Sequence, residues 1–221
     1  MPGSFGNDPY FAGDALNPQT TLGRVTVLVT DANGVGRLAP LLFVSPVQIN
    51  YLIPAGTFDG SATVTTTNSD GIVLVGRVEI QPVAPALFGT ALLVRLEDGV
   101  QTVQAVFPAI AAGEGGIATS APSPSDGQRF DGLPIDMGPE TDLVYLVLFG
   151  TGLRFGSSLA TVTANIGGVD ATVAYAGAQN EFAGLDQVNI ALPRSLVGAG
   201  EAELQLTVDG TPANIMYLEF E

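Results

Sequence analysis

From Thr21 onward, apolar and polar residues alternate with a period of two, the signature of strands with one buried face. Residues 24–30 (RVTVLVT) show it most cleanly, and the turn-forming run Asp31-Ala-Asn-Gly34 follows directly. Further strands are expected at 38–44, 47–53, 62–67 and 72–80, separated by Ser-Pro, Pro-Ala-Gly, Asp-Gly and Ser-Asp-Gly punctuation. Strands recurring about every 8–12 residues with turn signals between them predict a β-sandwich. No window keeps apolar residues three or four apart between capping residues, so helices are not expected.

The second half repeats the first. Thr21-Leu-Gly-Arg-Val-Thr-Val27 aligns with Ser158-Leu-Ala-Thr-Val-Thr-Ala164, and Gln48-Ile-Asn-Tyr-Leu-Ile-Pro54 with Gln187-Val-Asn-Ile-Ala-Leu-Pro193. Gly60-Ser-Ala-Thr-Val64 aligns with Gly200-Glu-Ala-Glu-Leu204, and Asp70-Gly71 with Asp209-Gly210. Constant order at a nearly constant offset implies a duplicated domain. In the Gln-x-Asn segments Val47, Ile49, Tyr51 and Ile53 share one strand face, as do Val188, Ile190 and Leu192. The amides point the other way, where they are expected to fasten a neighbouring loop. The closing Pro has no N–H to give a ladder and ends each strand.

The resulting fold class is all-β: two immunoglobulin-like β-sandwich domains related by internal duplication, joined by a β-hairpin and loop segment. Residues 1–20 form an N-terminal arm, 21–85 the first sandwich, 86–140 the connecting segment and 141–221 the second sandwich. Within the connector, 91–96 and 100–107 read as a hairpin about Glu97-Asp98-Gly99, and 109–129 as a surface loop rich in Gly, Ala, Ser and Pro. The second sandwich opens on a strong first strand at 142–150 (DLVYLVLFG). The first sandwich has only the arm before Thr21, with Tyr10, Phe11 and Leu16 as its apolar anchors. Either the first domain is simply a degenerate copy, or a missing first strand leaves an edge to be covered by the arm, by the 91–107 hairpin or by a strand from a neighbouring subunit. Tyr10, Phe11 and Leu16 are therefore the expected assembly residues.

Composition removes most chemistry. The 221 residues contain no Cys, His or Trp, and the seven basic residues are all Arg. Histidine-based triads, cysteine nucleophiles, the usual zinc sites and lysine Schiff bases are thereby excluded. A net charge of −15 repels nucleic-acid backbones and anionic membranes. No apolar run is long enough to span a bilayer, so membrane insertion is not expected. Paired carboxylates stay open in principle through Asp131, Asp136, Glu140 and Asp142, but no cleft is legible around them. Asp126, Asp131 and Asp136 sit in Gly-containing loops and are the candidate Ca²⁺ ligands. They lack EF-hand spacing, and a solvated acidic loop is the favoured reading. Gly34-Val-Gly36 stands in no βαβ unit and is no dinucleotide motif.

Four segments, LLFVSPVQINYLIP (41–54), PVAPALF (82–88), LPIDMGPETDLVYLVLFGTGLR (133–154) and GLDQVNIALPRSL (184–196), resemble an uncharacterised C-terminal domain family of large secreted proteins from Solibacter-type acidobacteria. The resemblance runs from about Thr20 to the end. Each half is also similar to an IPT/TIG-type immunoglobulin-like domain, through Leu148-Phe-Gly-Thr-Gly-Leu153 in particular. The resemblance implies export, a β-sandwich and a place at the end of surface proteins, and it implies no catalytic residue. Some members of that family carry a Cys pair near the segment matching 106–134, and this chain has none. The expectation is a non-enzymatic extracellular or cell-surface structural protein, without cofactor, whose partner is itself, as a filament subunit, or another surface protein. The alternative is a terminal adhesive module binding carbohydrate or protein through its loops.

Overall fold

A computed structural model describes residues 9–106, 109–110 and 134–221. In chain order the strands are β1 (Tyr10–Phe11), β2 (Thr26–Thr30), β3 (Gly36–Leu38), β4 (Leu41–Val44), β5 (Ile49–Tyr51), β6 (Gly60–Thr67), β7 (Val73–Ile80), β8 (Ala86–Glu97) and β9 (Val100–Val106). They continue with β10 (Ala109–Ile110), β11 (Leu143–Thr151), β12 (Val162–Ile166), β13 (Val169–Ala178), β14 (Asp186–Ala191), β15 (Gly200–Val208), β16 (Thr211–Pro212) and β17 (Met216–Phe220). Single 3₁₀ turns at Leu159–Thr161 and Arg194–Leu196 are the only helical turns among the described residues. The molecule is all-β, in the sandwich class that the alternation predicts.

The chain forms two compact units. The first comprises the described residues of Met1–Pro82 together with Asn180–Gly184. It sets a four-stranded sheet, β3-β2-β6-β7, beside a three-stranded sheet, β1-β4-β5. The single strand expected at 38–44 is split at Ala39-Pro40, between β3 in one sheet and β4 in the other. Pro40 has no N–H for a ladder, which makes it a natural place to change sheets. Val25, Val27, Val29, Leu41, Val44 and Val64 are the larger members of its small core.

The second unit comprises the described residues of Val83–Gln179 and Leu185–Glu221. Its strands follow the path β10-β17-β15-β12-β13-β14-β11-β8-β9, with β16 on β15. Strand β13 carries the path between two layers. Its first residues, 169–171, pair with β12, and 172–178 pair with β14. The hairpin assigned by sequence to the connector is β8–β9, and its β8 strand pairs with β11 over Leu143–Thr151. Asp98 and Gly99 at its tip both have positive φ (46° and 81°), as a two-residue type I′ turn requires. The core is far larger than the first, with Leu146, Leu148, Ile166, Ile190, Leu204 and Met216 fully buried.

The two units agree in register. Gly60 pairs with Ile80 and Gly200 with Phe220; Val64 pairs with Val29 and Leu204 with Ile166. Asn50 lies opposite Phe43 and Asn189 opposite Tyr175, each beside an irregularity that skips one residue, between Leu41 and Phe43 or between Val173 and Tyr175. In both units the Gln side-chain amide donates to the Asn two residues on, Gln48 to Asn50 and Gln187 to Asn189, each at 2.7 Å. These amides bond one another along the strand, where a clamp on a neighbouring loop was expected.

Candidate functional site

Several acidic side chains of the described residues hold turns, Asp31 and Asp186 above all. Asp31 is buried, and its carboxylate accepts N–H bonds from Asn33 (3.0 Å), Val35 (3.0 Å) and Phe58 (3.2 Å) and pairs with Arg37 at 2.6 Å. Burial pushes its pKa up, but these hydrogen bonds outweigh it and hold the group below the ordinary carboxylate range. Asp186 is fully buried. It accepts the N–H groups of Leu153 (2.8 Å) and Arg154 (3.2 Å) and meets Arg154 Nε at 2.6 Å. The strand end that it clamps carries Gly150-Thr-Gly152. A Cβ on Gly150 would lie 2.3 Å from the Ala86 carbonyl oxygen, and one on Gly152 2.0 Å from that of Ala84. These glycines let the chain entering β8 lie against β11, which gives the Leu148–Leu153 motif a packing reason.

Of the candidate Ca²⁺ ligands, Asp126 and Asp131 lie outside the described residues. Asp136 is exposed; its carboxylate accepts the Gly138 N–H at 2.7 Å and pairs with Arg95 at 3.3 Å, and the first of these contacts does most to lower its pKa. Glu140 is exposed and Asp142 buried, 3.9 Å from Arg95 Nε. Arg194 ties the same loop by donating to the carbonyls of Met137, Gly138, Pro139 and Asp142. Among the described residues no group of three or more His, Cys, Asp or Glu is placed to hold a metal ion.

The assembly candidates fall on the rim of the first unit. Tyr10 and Phe11 form β1, which pairs antiparallel with β4, Tyr10 opposite Val44 and Phe11 opposite Phe43. The Phe11 and Phe43 rings lie 4.9 Å apart. Leu16 is exposed and follows a turn in which Asp14 accepts its N–H at 2.9 Å. The arm thus contributes a strand, yet on the far side of β4 from β5. The missing-strand position beside β5 has no strand among the described residues, whereas the matching β14 pairs with β11 over six residues.

A second edge, not read from the sequence, is more exposed. Among the described residues, strand β7 pairs only with β6. Asn68 N–H donates to the Ile72 carbonyl, while the Ile72 N–H goes to the Asn68 side chain, so the backbone groups of the even-numbered residues of β6 and β7 face each other across the ladder. Antiparallel alternation then turns the N–H and C=O groups of Val73, Val75, Arg77 and Glu79 away from β6. Val73, Leu74 and Val75 are 53%, 55% and 66% exposed. The matching strand β17 has its edge occupied: β10 pairs with Met216 and Tyr217, and Ile135 bonds across Glu219 and Glu221. Long apolar edge strands are usually shielded by a charge, a bulge or a covering segment; the Val73–Val75 end of β7 has none of these among the described residues.

The loops also expose aromatic rings. Phe58, Phe155 and Phe182 are all loop residues and all more than half exposed. No family model matches the chain, and no curated protein or solved structure matches it.

Proposed function

We propose that this chain is a non-enzymatic, extracellular structural protein that self-assembles by strand pairing, as a subunit of a surface assembly or filament. One observation carries the reading: among the described residues the first unit leaves one edge each of β5 and β7 without a strand, where the second unit, in the same register, pairs β14 with β11 and β17 with β10. Open edges attract strands, and a chain that keeps two of them has edges available to build with. The shared registers support descent of both units from one duplicated domain, in which the second kept its covering strands. Acidity and the resemblance to exported surface proteins support the extracellular placement; at −15 the chain stays soluble until edges meet.

Light scattering across a concentration series, with negative-stain electron microscopy of the same samples, tests this. Oligomers or fibres growing with concentration are expected; a constant 22.6 kDa species would refute it. The exposed loop phenylalanines favour a second reading, a terminal module binding carbohydrate or protein. That reading predicts a monomer whose ligand binding is lost on Phe155→Ala.

A further inference from the structure

Resting on that reading, we infer that β7 is the contact between copies, two chains pairing antiparallel along β7 about a twofold axis at Gly76. The two four-stranded sheets then become one continuous eight-stranded sheet.

The geometry selects both the occupant and the register. The outward-facing backbone groups belong to the odd-numbered residues Val73, Val75, Arg77 and Glu79. Only pairings of odd with odd residues keep both core faces on one side of the joined sheet. With Gly76 on the axis, Val73 meets Glu79 of the second copy and Val75 meets Arg77, each twice by symmetry. All four outward residues are used, for about eight hydrogen bonds. Moving the axis to Val75 or Arg77 uses three of the four, and centring on Arg77 sets two guanidiniums face to face.

The side chains fit the same register. Gly76 falls in a non-hydrogen-bonded pair, where the Cα atoms come within about 4.5 Å, and nothing lies within 4 Å of where its Cβ would be. On the core face Leu74 comes opposite Val78 of the second copy, next to the core that Val78 and Ile80 already pack against. On the outer face Val73 and Val75 lie under the aliphatic stems of Glu79 and Arg77 from the second copy. Every exposed apolar residue of the strand thereby gains a partner from the strand itself.

Charge agrees. β7 holds one Arg and one Glu, a neutral stretch in a chain of net charge −15, so two copies meet there without like-charge repulsion along the strand. The matching edge in the second unit already takes an antiparallel strand of this same chain, at Met216 and Tyr217, the positions matching Gly76 and Arg77. The contact is isologous and closes as a dimer; extension into a filament uses a further edge.

The test is sedimentation velocity on the full chain, wild type, Val75→Pro and Val103→Pro, with circular dichroism to confirm folding. Proline at position 75 removes an outward N–H and leaves the β6 ladder whole. Position 103 is the control on β9, the edge strand of the second unit. The expected result is a wild-type dimer that Val75→Pro weakens at least about 100-fold and Val103→Pro leaves unchanged. If Val75→Pro alters the dichroism, Val75→Lys replaces it, because an exposed lysine is harmless in the monomer and faces Arg77 of the second copy in the dimer. A wild-type chain that stays monomeric overturns both this inference and self-assembly. Assembly that survives the position-75 variants, or that Val103→Pro abolishes, overturns the β7 contact and leaves self-assembly standing.

Discussion

Removal of the Asp186 carboxylate tests how the second unit is held together. In Asp186→Ala the N–H groups of Leu153 and Arg154 lose their acceptor at a buried position, and Arg154 loses its ion-pair partner. An orphaned buried donor costs about 1–3 kcal/mol. The Arg154 side chain is 27% exposed, so water takes up part of its lost interaction. Breaking a buried pair from the carboxylate side costs about 3–5 kcal/mol in general, and the lower half of that range is expected here. With a urea slope of about 2 kcal/mol per molar, the midpoint falls by roughly 1.5–2 M. Far-UV circular dichroism is the suitable probe, because there is no Trp to follow. The matching position in the first unit is Val47, which is 94% exposed and has no strand beside it among the described residues. Val47→Ala should move stability by under about 0.5 kcal/mol. A midpoint shift below roughly 0.5 M for Asp186→Ala would show the clamp to be worth no more than a surface pair, and the argument would fail.

Three further outcomes follow from the same structure. Gly152→Ala combines a positive φ of 75° with a carbonyl 2.0 Å from the added carbon; a loss of about 3 kcal/mol or more is expected, read as a melting temperature lower by roughly 10 °C. Asp31 has a folded pKa below its unfolded value of about 3.9, so its stabilisation is fully present above that value and is lost as the pH falls through the folded pKa. Melting curves from pH 7 down to 2 should show a decline below about pH 4 that is shallower in Asp31→Asn; an identical decline in both would refute the assignment. The first unit, with the smaller buried core, should open before the second in a urea series followed by amide exchange; simultaneous opening would contradict this.

Alternation was enough to read the strands whose two faces see different surroundings. Residues 24–30, 62–67 and 72–80 overlap β2, β6 and β7, and 142–150 overlaps β11. The amide pairs could be placed on one face from spacing alone, but their bond to each other could not, because local pattern does not say which acceptor is nearer. Pairing was the part least legible. Strand β8 extends five residues before the expected 91 because Ala86 and Leu87 pair with Thr151 and Gly150 of β11, far along the chain. Tyr10 and Phe11 show no periodicity over two residues, and only the edge of β4 makes them a strand. The openness of β7 depends on what does not lie beside it, which no local pattern records. The exposure of Phe58, Phe155 and Phe182 was not legible either, since a lone Phe in a loop leaves no periodic trace.

Amide hydrogen exchange of the full chain at low and high protein concentration tests assembly through the first unit most directly. Four amides, those of Val73, Val75, Arg77 and Glu79, face away from β6 and are predicted to gain protection as concentration rises. The amides of Leu74, Gly76, Val78 and Ile80, bonded to β6, should stay protected throughout. Outward amides that exchange at the same fast rate at every concentration, or protection gained only along Val100–Val106, would contradict the account.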